Sequence, residues 1–332
     1  MKQYISAEAF EKSIRTSLSL AFDYDAACRR VAGRLNNLPE GNIYIRKDRN
    51  QTAFYEIEHK KQKYLSKKSD RTYLLARKKY LEKLQKILDI IRLHRSPLSE
   101  ADSCDYYSDI EPLKDELVNL IYSFSAGNLD VARIVMTPAQ YKWYTGKFIQ
   151  KKIDYSVSRT TNNDIHVRSK SEQDIGNIAE ELGAFYHYEE RMRIDVRELV
   201  QSLSESLKKA NIPISRLYNY NNNSCHWNVP IALEWMNSSG SIWRAYNDRT
   251  GKITIYNDFK FMLADSEIII WEHSGLADKF KYRCNASERE YVLEYTKTVK
   301  RSNYINTFED DIKTDAYIIQ IIKEKILPRL WF

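Results

Sequence analysis

Two apolar runs in the last third of the chain, KITIYNDFKFML (252–263) and EIIIWEHSG (267–275), constrain the fold more than any other feature. They read as two strands joined by the short polar ADSE connection. With Leu263 facing Ile268 or nearby, Asp258 falls close to Glu272 across the pair, to within one residue of register. Side chains alternate along a strand, so Asp258 and Lys260 share one face, and Glu272 and Ser274 share another with Ile268 and Ile270. Glu272 is then a carboxylate at the rim of an apolar surface. Burying such a charge is costly unless something pairs with it. Two facing carboxylates also repel, and a divalent cation relieves both problems.

Upstream, RSKSEQDIGNIAEELG carries both ends of a helix. Ser169 is an N-cap with Glu172 three residues on, Gly183 closes the segment, and Ile175, Ile178, Ala179 and Leu182 form its apolar stripe. Glu172 stands one turn before Ile175, so its carboxylate can point inward; a capping-box role alone accounts for it equally well. FYHYE then reads as a strand. After the hairpin, Ser287 with Glu290 opens a helix to about Lys300, YINTF is a strand, and a last helix with Ile318, Ile319, Ile322 and Ile326 ends before Pro328. These elements make an α/β unit with a mixed sheet and flanking helices.

The net charge of +7 is concentrated in one place. Residues 60–86 hold eleven Lys or Arg against Asp70 and Glu82, a surplus larger than that of the whole chain. Such asymmetry points to a polyanion-binding face. Just before it, Ile43–Arg46 and Ala53–Glu58 alternate as a hairpin around a Lys47–Asn50 turn. A helix follows from about Arg71 to His94, its apolar face marked by Leu74, Leu75, Leu81, Leu84, Leu88 and Ile91. The cations placed against a phosphate backbone are Arg46, Lys47, Lys60, Lys61, Lys63, Lys67, Lys68, Arg71, Lys78 and Lys79. The plainer reading is a solvated helix face.

At roughly 150 residues per domain, 332 residues suggest about two domains. Residues 7–35 read as an amphipathic helix ended by LNNLPEGN, and the acidic SPLSEADSCDYYSDIEP marks a boundary. The expected division is a helical and β-hairpin basic module at 1–95, a helical, acidic linker at 96–160 and the α/β unit at 161–332. Helices are expected at 111–124 and 138–150, with a polar connector at 160–167. Within the last unit, 192–250 reads as an insertion. It holds a helix ending near Pro213 and the polar loop LYNYNNNSCHW, and it suits a clamp, a lid, or a surface for a protein partner or a second copy.

No apolar run approaches the roughly 18 residues of a membrane span, and MKQYISAEAFEKS has no apolar stretch of a signal peptide. A cytoplasmic protein without membrane contact is expected. At 43% hydrophobic residues, wholesale disorder is excluded. Cys28, Cys104, Cys225 and Cys284 lie far apart and form no CxxC pair, which argues against a zinc knuckle or a disulfide framework. His166, His187 and His226 show no ligand spacing, and Trp271 beside Glu272 is expected to pack beneath the site.

The order RSKSE–helix–strand, an NDF strand and an IIIWEHSG strand resembles the PD-(D/E)XK nuclease superfamily. More narrowly it resembles a bacterial family that carries RSKSE, a YxYE strand, PDF and WEHxG after an LPEG–strand–basic helix module, to which LPEGNIYIRK and KYLSKK are similar. The resemblance covers most of the chain outside about 192–251. It implies a PD-(D/E)XK-like sheet and a metal-dependent endonuclease that hydrolyses DNA, with RNA as a second substrate class. Asp258 and Glu272 are then the ligands of Mg²⁺ or Mn²⁺, Glu172 completes the site, and the His273 carbonyl is a further oxygen ligand. Asn257 replaces the motif proline. Ser274 stands where the motif has its lysine, and Lys260 is the expected substitute, ahead of His273 and Lys170. The missing lysine also defines the alternative: a catalytically inactive nuclease fold that binds DNA, RNA or protein.

Overall fold

The computed structural model describes residues 6–20, 23–48, 51–58, 61–94, 103–151, 158–199, 201–202, 205, 252–275 and 289–332. Most of the expected helix toward Pro213, the polar loop after it, Lys60 and the Ser287 cap lie outside them; at the start of that helix, 197–199, 201–202 and 205 are helical.

The stretch read as one N-terminal helix is two, α1 (Ala7–Ser19) and α2 (Tyr24–Asn36). The break follows from competing caps. Leu20 leaves the helix in extended conformation, and the Asp23 side chain accepts from the Ala26 N–H to start a new one. Strands β1 (Asn42–Asp48) and β2 (Gln51–Glu58) form the expected hairpin, but they pair as far as Asp48 and Gln51, so the turn is tighter than the sequence suggested. A third strand, β3 (Lys61–Leu65), adds to β2. It was missed because its lysines read as a charge run.

Helix α3 (Asp70–His94) lies where predicted and buries Leu75, Leu81, Leu84, Leu88 and Ile91, while Leu74 is exposed. Helix α4 (Ser103–Ala126) starts earlier than expected and carries Pro112 within it. An unpredicted short helix, α5 (Val131–Val135), precedes the helix expected over 138–150, which is shorter, α6 (Pro138–Thr145), and is opened by a Thr137–Gln140 capping box. Beyond Gly146 the chain runs along the main sheet, where Gln150 bridges Glu190. The polar connector holds a two-residue-deep ladder, β4 (Arg159–Thr160) with β5 (His166–Val167).

Helix α7 (Lys170–Glu181) has the predicted capping box. Gly183 ends it at φ +69°, where a Cβ would collide with the Ala9 carbonyl. The main sheet has the order β6 (His187–Asp195), β7 (Lys252–Met262), β8 (Ile268–Ser274), β9 (Tyr304–Phe308). Its first three strands are antiparallel and β9 runs parallel to β8. A helical stretch at 289–295 precedes β9. The molecule is therefore mixed α/β, a mixed sheet flanked by helices.

Pro328 does not end the last helix. After α8 (Asp315–Ile321) the turn widens to π geometry at Ile322–Ile326, and α9 (Leu327–Leu330) continues with Pro328 in its first turn. There the missing N–H costs little. The C-terminus closes onto α1: Trp331 Nε1 donates to Ser13 Oγ at 2.6 Å, and its ring lies 5.1 Å from Phe10. One hydrophobic core thus runs from Ala7 to Phe332 through all three predicted regions. A second, smaller core holds Met192, Ile194, Ile253, Ile255, Ile270, Val292 and Leu293. Among the described residues, no helix is long and apolar enough to cross a membrane.

Candidate active site

The ladder between β7 and β8 pairs Phe259 with Trp271. The ladder ends there, and Asp258 and Glu272, the next residue on each strand, line one cavity. The hairpin therefore brings the two predicted carboxylates together, and both are buried. Trp271 is fully buried on the larger core, beneath the site as expected, and its indole donates to Thr307 Oγ1 at 2.9 Å.

A departure from strand alternation shapes the rest. In and just before β6, Tyr186 and Tyr188 face the larger core, yet Met192 and Ile194, of the same parity, face the smaller one. In β7 the change runs in the opposite order, with Ile253 and Ile255 on the smaller core and Phe259 and Phe261 on the larger. Both strands change face at one level of the sheet. Tyr188↔Phe259 and Glu190↔Asn257 pair on either side, and the pair between them, Glu189 with Asp258, is absent from the ladder. Glu189 takes φ +51°, a left-handed conformation that a non-glycine residue adopts at a cost of about 1–3 kcal/mol. Its carboxylate is almost wholly buried.

Arg168 gathers the acids. Its Nη2 lies 2.7 Å from Asp258 Oδ1, 2.8 Å from Glu189 Oε1 and 3.1 Å from Glu172 Oε1. The other Asp258 oxygen accepts the His273 backbone N–H at 2.8 Å. Glu272 accepts from Arg289 Nη1 at 2.8 Å. Together with Lys151, Tyr256 and Ser274, the side chains of Glu189, Asp258, Glu272, Arg168 and Arg289 line a cavity of about 40 Å³, room for one or a few waters.

Glu172 sits behind Arg168 and does not line that cavity. It closes the capping box, accepting the Arg168 and Ser169 N–H groups at 2.8 and 2.9 Å and the Tyr188 hydroxyl at 2.9 Å. Lys260 is not at the cavity either. Its ammonium lies 2.7 Å from Glu190 Oε1, and the other Glu190 oxygen is bonded by His187 Nδ1 at 2.7 Å and Trp143 Nε1 at 3.1 Å. The His187 ring stacks on Phe148 at 4.0 Å, so this group is packed and closed. The His273 backbone reaches the cavity, but its ring bonds Thr307 and Glu309. Lys170 does not line the cavity; among the described residues Lys151 is the lysine that does. Sequence reasoning missed Arg168, Glu189, Arg289 and Lys151. The letters RSKSE and FYHYE contain the first two, but nothing in their spacing assigns a role to either.

Burial, and then the Glu172 charge, raise the Asp258 pKa despite Arg168 and Arg289. Burial, and then Asp258, push Glu272 well above the usual carboxylate range. Burial also raises Glu189, against Arg168 and Lys151. These are acids held in a site too dry for their charge. Glu189 Oε2 and Glu272 Oε1 are buried without a hydrogen-bond partner among the described residues. Unsatisfied hard oxygens suit Mg²⁺ or Mn²⁺. Among the described residues no group of three or more His, Cys, Asp or Glu is placed to hold a metal ion. A cation here would draw on one or two carboxylates and take its remaining ligands from elsewhere, a pattern Mg²⁺ tolerates.

No family model, no curated protein and no solved structure matches this chain.

Proposed function

We propose that this protein is a metal-dependent nuclease that hydrolyses DNA phosphodiester bonds on a PD-(D/E)XK-like sheet. The observation that carries the reading is the buried Asp258–Glu272 pair, lining one cavity at the end of the β7–β8 ladder, with raised pKa values and an unsatisfied oxygen on Glu272. Asp258 and Glu272 would hold the cation, which polarises the scissile phosphate and lowers the pKa of an attacking water. Arg168 and Arg289 offset the charge of the acids and would offer N–H groups to phosphate oxygens. The motif lysine is absent. Lys151, exposed at the cavity edge, is the side chain able to offset charge that develops on the phosphate.

Cleavage of supercoiled plasmid and single-stranded DNA with Mg²⁺ or Mn²⁺ tests the reading. Metal-dependent cleavage is expected for the wild type and is lost in Asp258→Ala. Undiminished cleavage by the variant refutes the site.

A second reading, a catalytically inactive scaffold that binds DNA, RNA or protein, draws on the arginines. Each acid of the pair already has a guanidinium partner, and Lys260 is committed to Glu190. Mn²⁺ titration separates the two: a scaffold shows no binding that depends on Asp258.

A further inference from the structure

Beside the cavity, the main sheet has an outer face that none of the proposed chemistry uses. The register of β6 with β7 pairs Arg191 with Tyr256, Met192 with Ile255, Arg193 with Thr254, Ile194 with Ile253 and Asp195 with Lys252. Met192, Ile194, Ile253 and Ile255 face the smaller core. Alternation sets the intervening residues on the opposite face. Burial follows it: Arg193, Thr254 and Lys252 are exposed, and Arg191 and Tyr256 are half-buried. This face begins at the cavity. Tyr256 and Lys151 both line the cavity, and the Lys151 ammonium stands 6.0 Å from the centre of the Tyr256 ring. Arg191 comes next, and Arg193 lies about 7 Å further along the strand. Neither guanidinium has a hydrogen bond or ion pair among the described residues. The acid on this face, Asp195, is taken by Arg197, whose Nε lies 2.9 Å from each carboxylate oxygen.

The cations expected from the sequence to meet phosphate make no such continuous face. Arg71 bonds Glu56 and the Glu40 carbonyl, Lys78 the Gly41 carbonyl and Lys79 the Ile43 carbonyl, which fastens α3 to the sheet. Strand register places Lys47, Lys61 and Lys63 on the side of β1–β3 that carries Ile43, Phe54 and Leu65, and Arg46 on the other side. Lys67 and Lys68 follow β3. The basic run is therefore divided between fold contacts and two sides of a small sheet, whereas Arg191 and Arg193 share one side and adjoin the cavity.

We propose that the outer face of β6 and β7 holds the phosphate backbone of the DNA next to the cavity, with Arg191 and Arg193 each on a phosphate near the one that is cut. A guanidinium without a protein partner offers its fork of N–H donors to phosphate oxygens. Two of them in a row along one strand match a chain of repeated negative charges, and the row leads to the acids that would hold the metal. Such contacts fix the position of the backbone without reading its sequence. The choice of DNA rests on the nuclease reading; the phosphate contacts themselves require no cleavage.

The test is fluorescence anisotropy of a labelled DNA duplex on the full chain in EDTA, repeated over a series of salt concentrations. Each phosphate contact contributes about 0.9 to the slope of log affinity against log salt. Arg193→Gln, at an exposed position, should make that slope shallower by about 0.9 and weaken binding at low salt, and Arg191→Gln/Arg193→Gln should remove about 1.8. Lys12→Gln/Lys325→Gln removes the same charge from exposed positions on other elements and should leave the slope as it is. In Mg²⁺ the double arginine variant should need more DNA for half-maximal cleavage, with a plateau rate within about twofold of wild type. A wild type that binds with these slopes but does not cut sinks the nuclease reading and leaves the phosphate contacts standing. No DNA binding by the wild type, a double arginine variant with the wild-type slope, an equal loss in the lysine control, or a larger loss on RNA than on DNA overturns the proposal.

Discussion

Removing the Lys260 ammonium should damage the fold and spare the chemistry. The resemblance to nuclease motifs, together with its place on the Asp258 face, makes Lys260 the expected substitute for the motif lysine, whereas its ammonium sits 2.7 Å from Glu190, with the two side chains 8% and 13% exposed. Burial works to raise Glu190, but the His187 and Lys260 bonds outweigh it and hold the pKa at about 2, against an ordinary 4.5. A carboxylate depressed in the folded state stabilises fully above its unfolded pKa, and the stability is lost as pH falls through the folded one. The window is therefore pH 4.5 down to about 2, and the shift corresponds to about 3 kcal/mol. Lys260→Met leaves Glu190 buried with only His187 and the Trp143 N–H. Breaking one side of a buried pair costs about 3–5 kcal/mol. Urea unfolding at pH 7 should show that loss, and Glu190→Gln/Lys260→Met should recover most of it, because the stranded charge goes too. Glu190→Gln alone should flatten the acid limb of the stability profile. Metal-dependent cleavage by whatever Lys260→Met remains folded should be near wild type. A fully stable Lys260→Met protein that has lost cleavage refutes the structural role and restores Lys260 to the chemistry.

Two further outcomes follow from the same site. Glu272 is raised by burial and Asp258, so the folded protein keeps a proton that the unfolded chain releases above about pH 4.5. Stability in EDTA should then fall as pH rises from there, with Glu272 contributing as much as ~1.4 kcal/mol per pH unit, and Glu272→Gln should make the slope shallower, leaving the share of Asp258 and Glu189; parallel pH profiles for the two proteins in urea unfolding count against it. Arg168→Met strands Asp258, Glu189 and Glu172 together and should cost about 3 kcal/mol, the lower end for a broken buried pair because Arg168 is itself partly exposed. Chemical denaturation measures this, and a change under half that size means the acids are already neutral.

What could be read from the sequence was local. The Ser169–Glu172 box and Gly183 mark both ends of α7, and alternation in 252–263 and 267–275 gives the hairpin and sets Asp258 against Glu272 within one residue. The errors share a cause as well. Strand β3 hides behind its lysines, the gap between α1 and α2 depends on the Asp23 cap, and the chain continues past Pro328 through a widened turn that packing against α1 supports. Arg289 and Lys151 were out of reach for a different reason. They come to the cavity from segments distant in sequence, and no spacing rule connects residue 151 to residue 289.

The face change explains why the acids collect where they do. Strict alternation along β7 would keep Ile253, Ile255, Phe259 and Phe261 on one core, and the sheet would offer no polar seam. With the change at Glu189 and Asp258, residues 257–261 are all buried because the strand passes there from one core to the other. At that crossing neither core supplies a complete apolar wall, so charged groups are tolerated if they find partners. Arg168 reaches it from just before α7 and Arg289 from the helical stretch before β9. The strain at Glu189 thus belongs to the site: without a left-handed residue at that point the two strands could not change face together, and Asp258 would lose the cavity it lines.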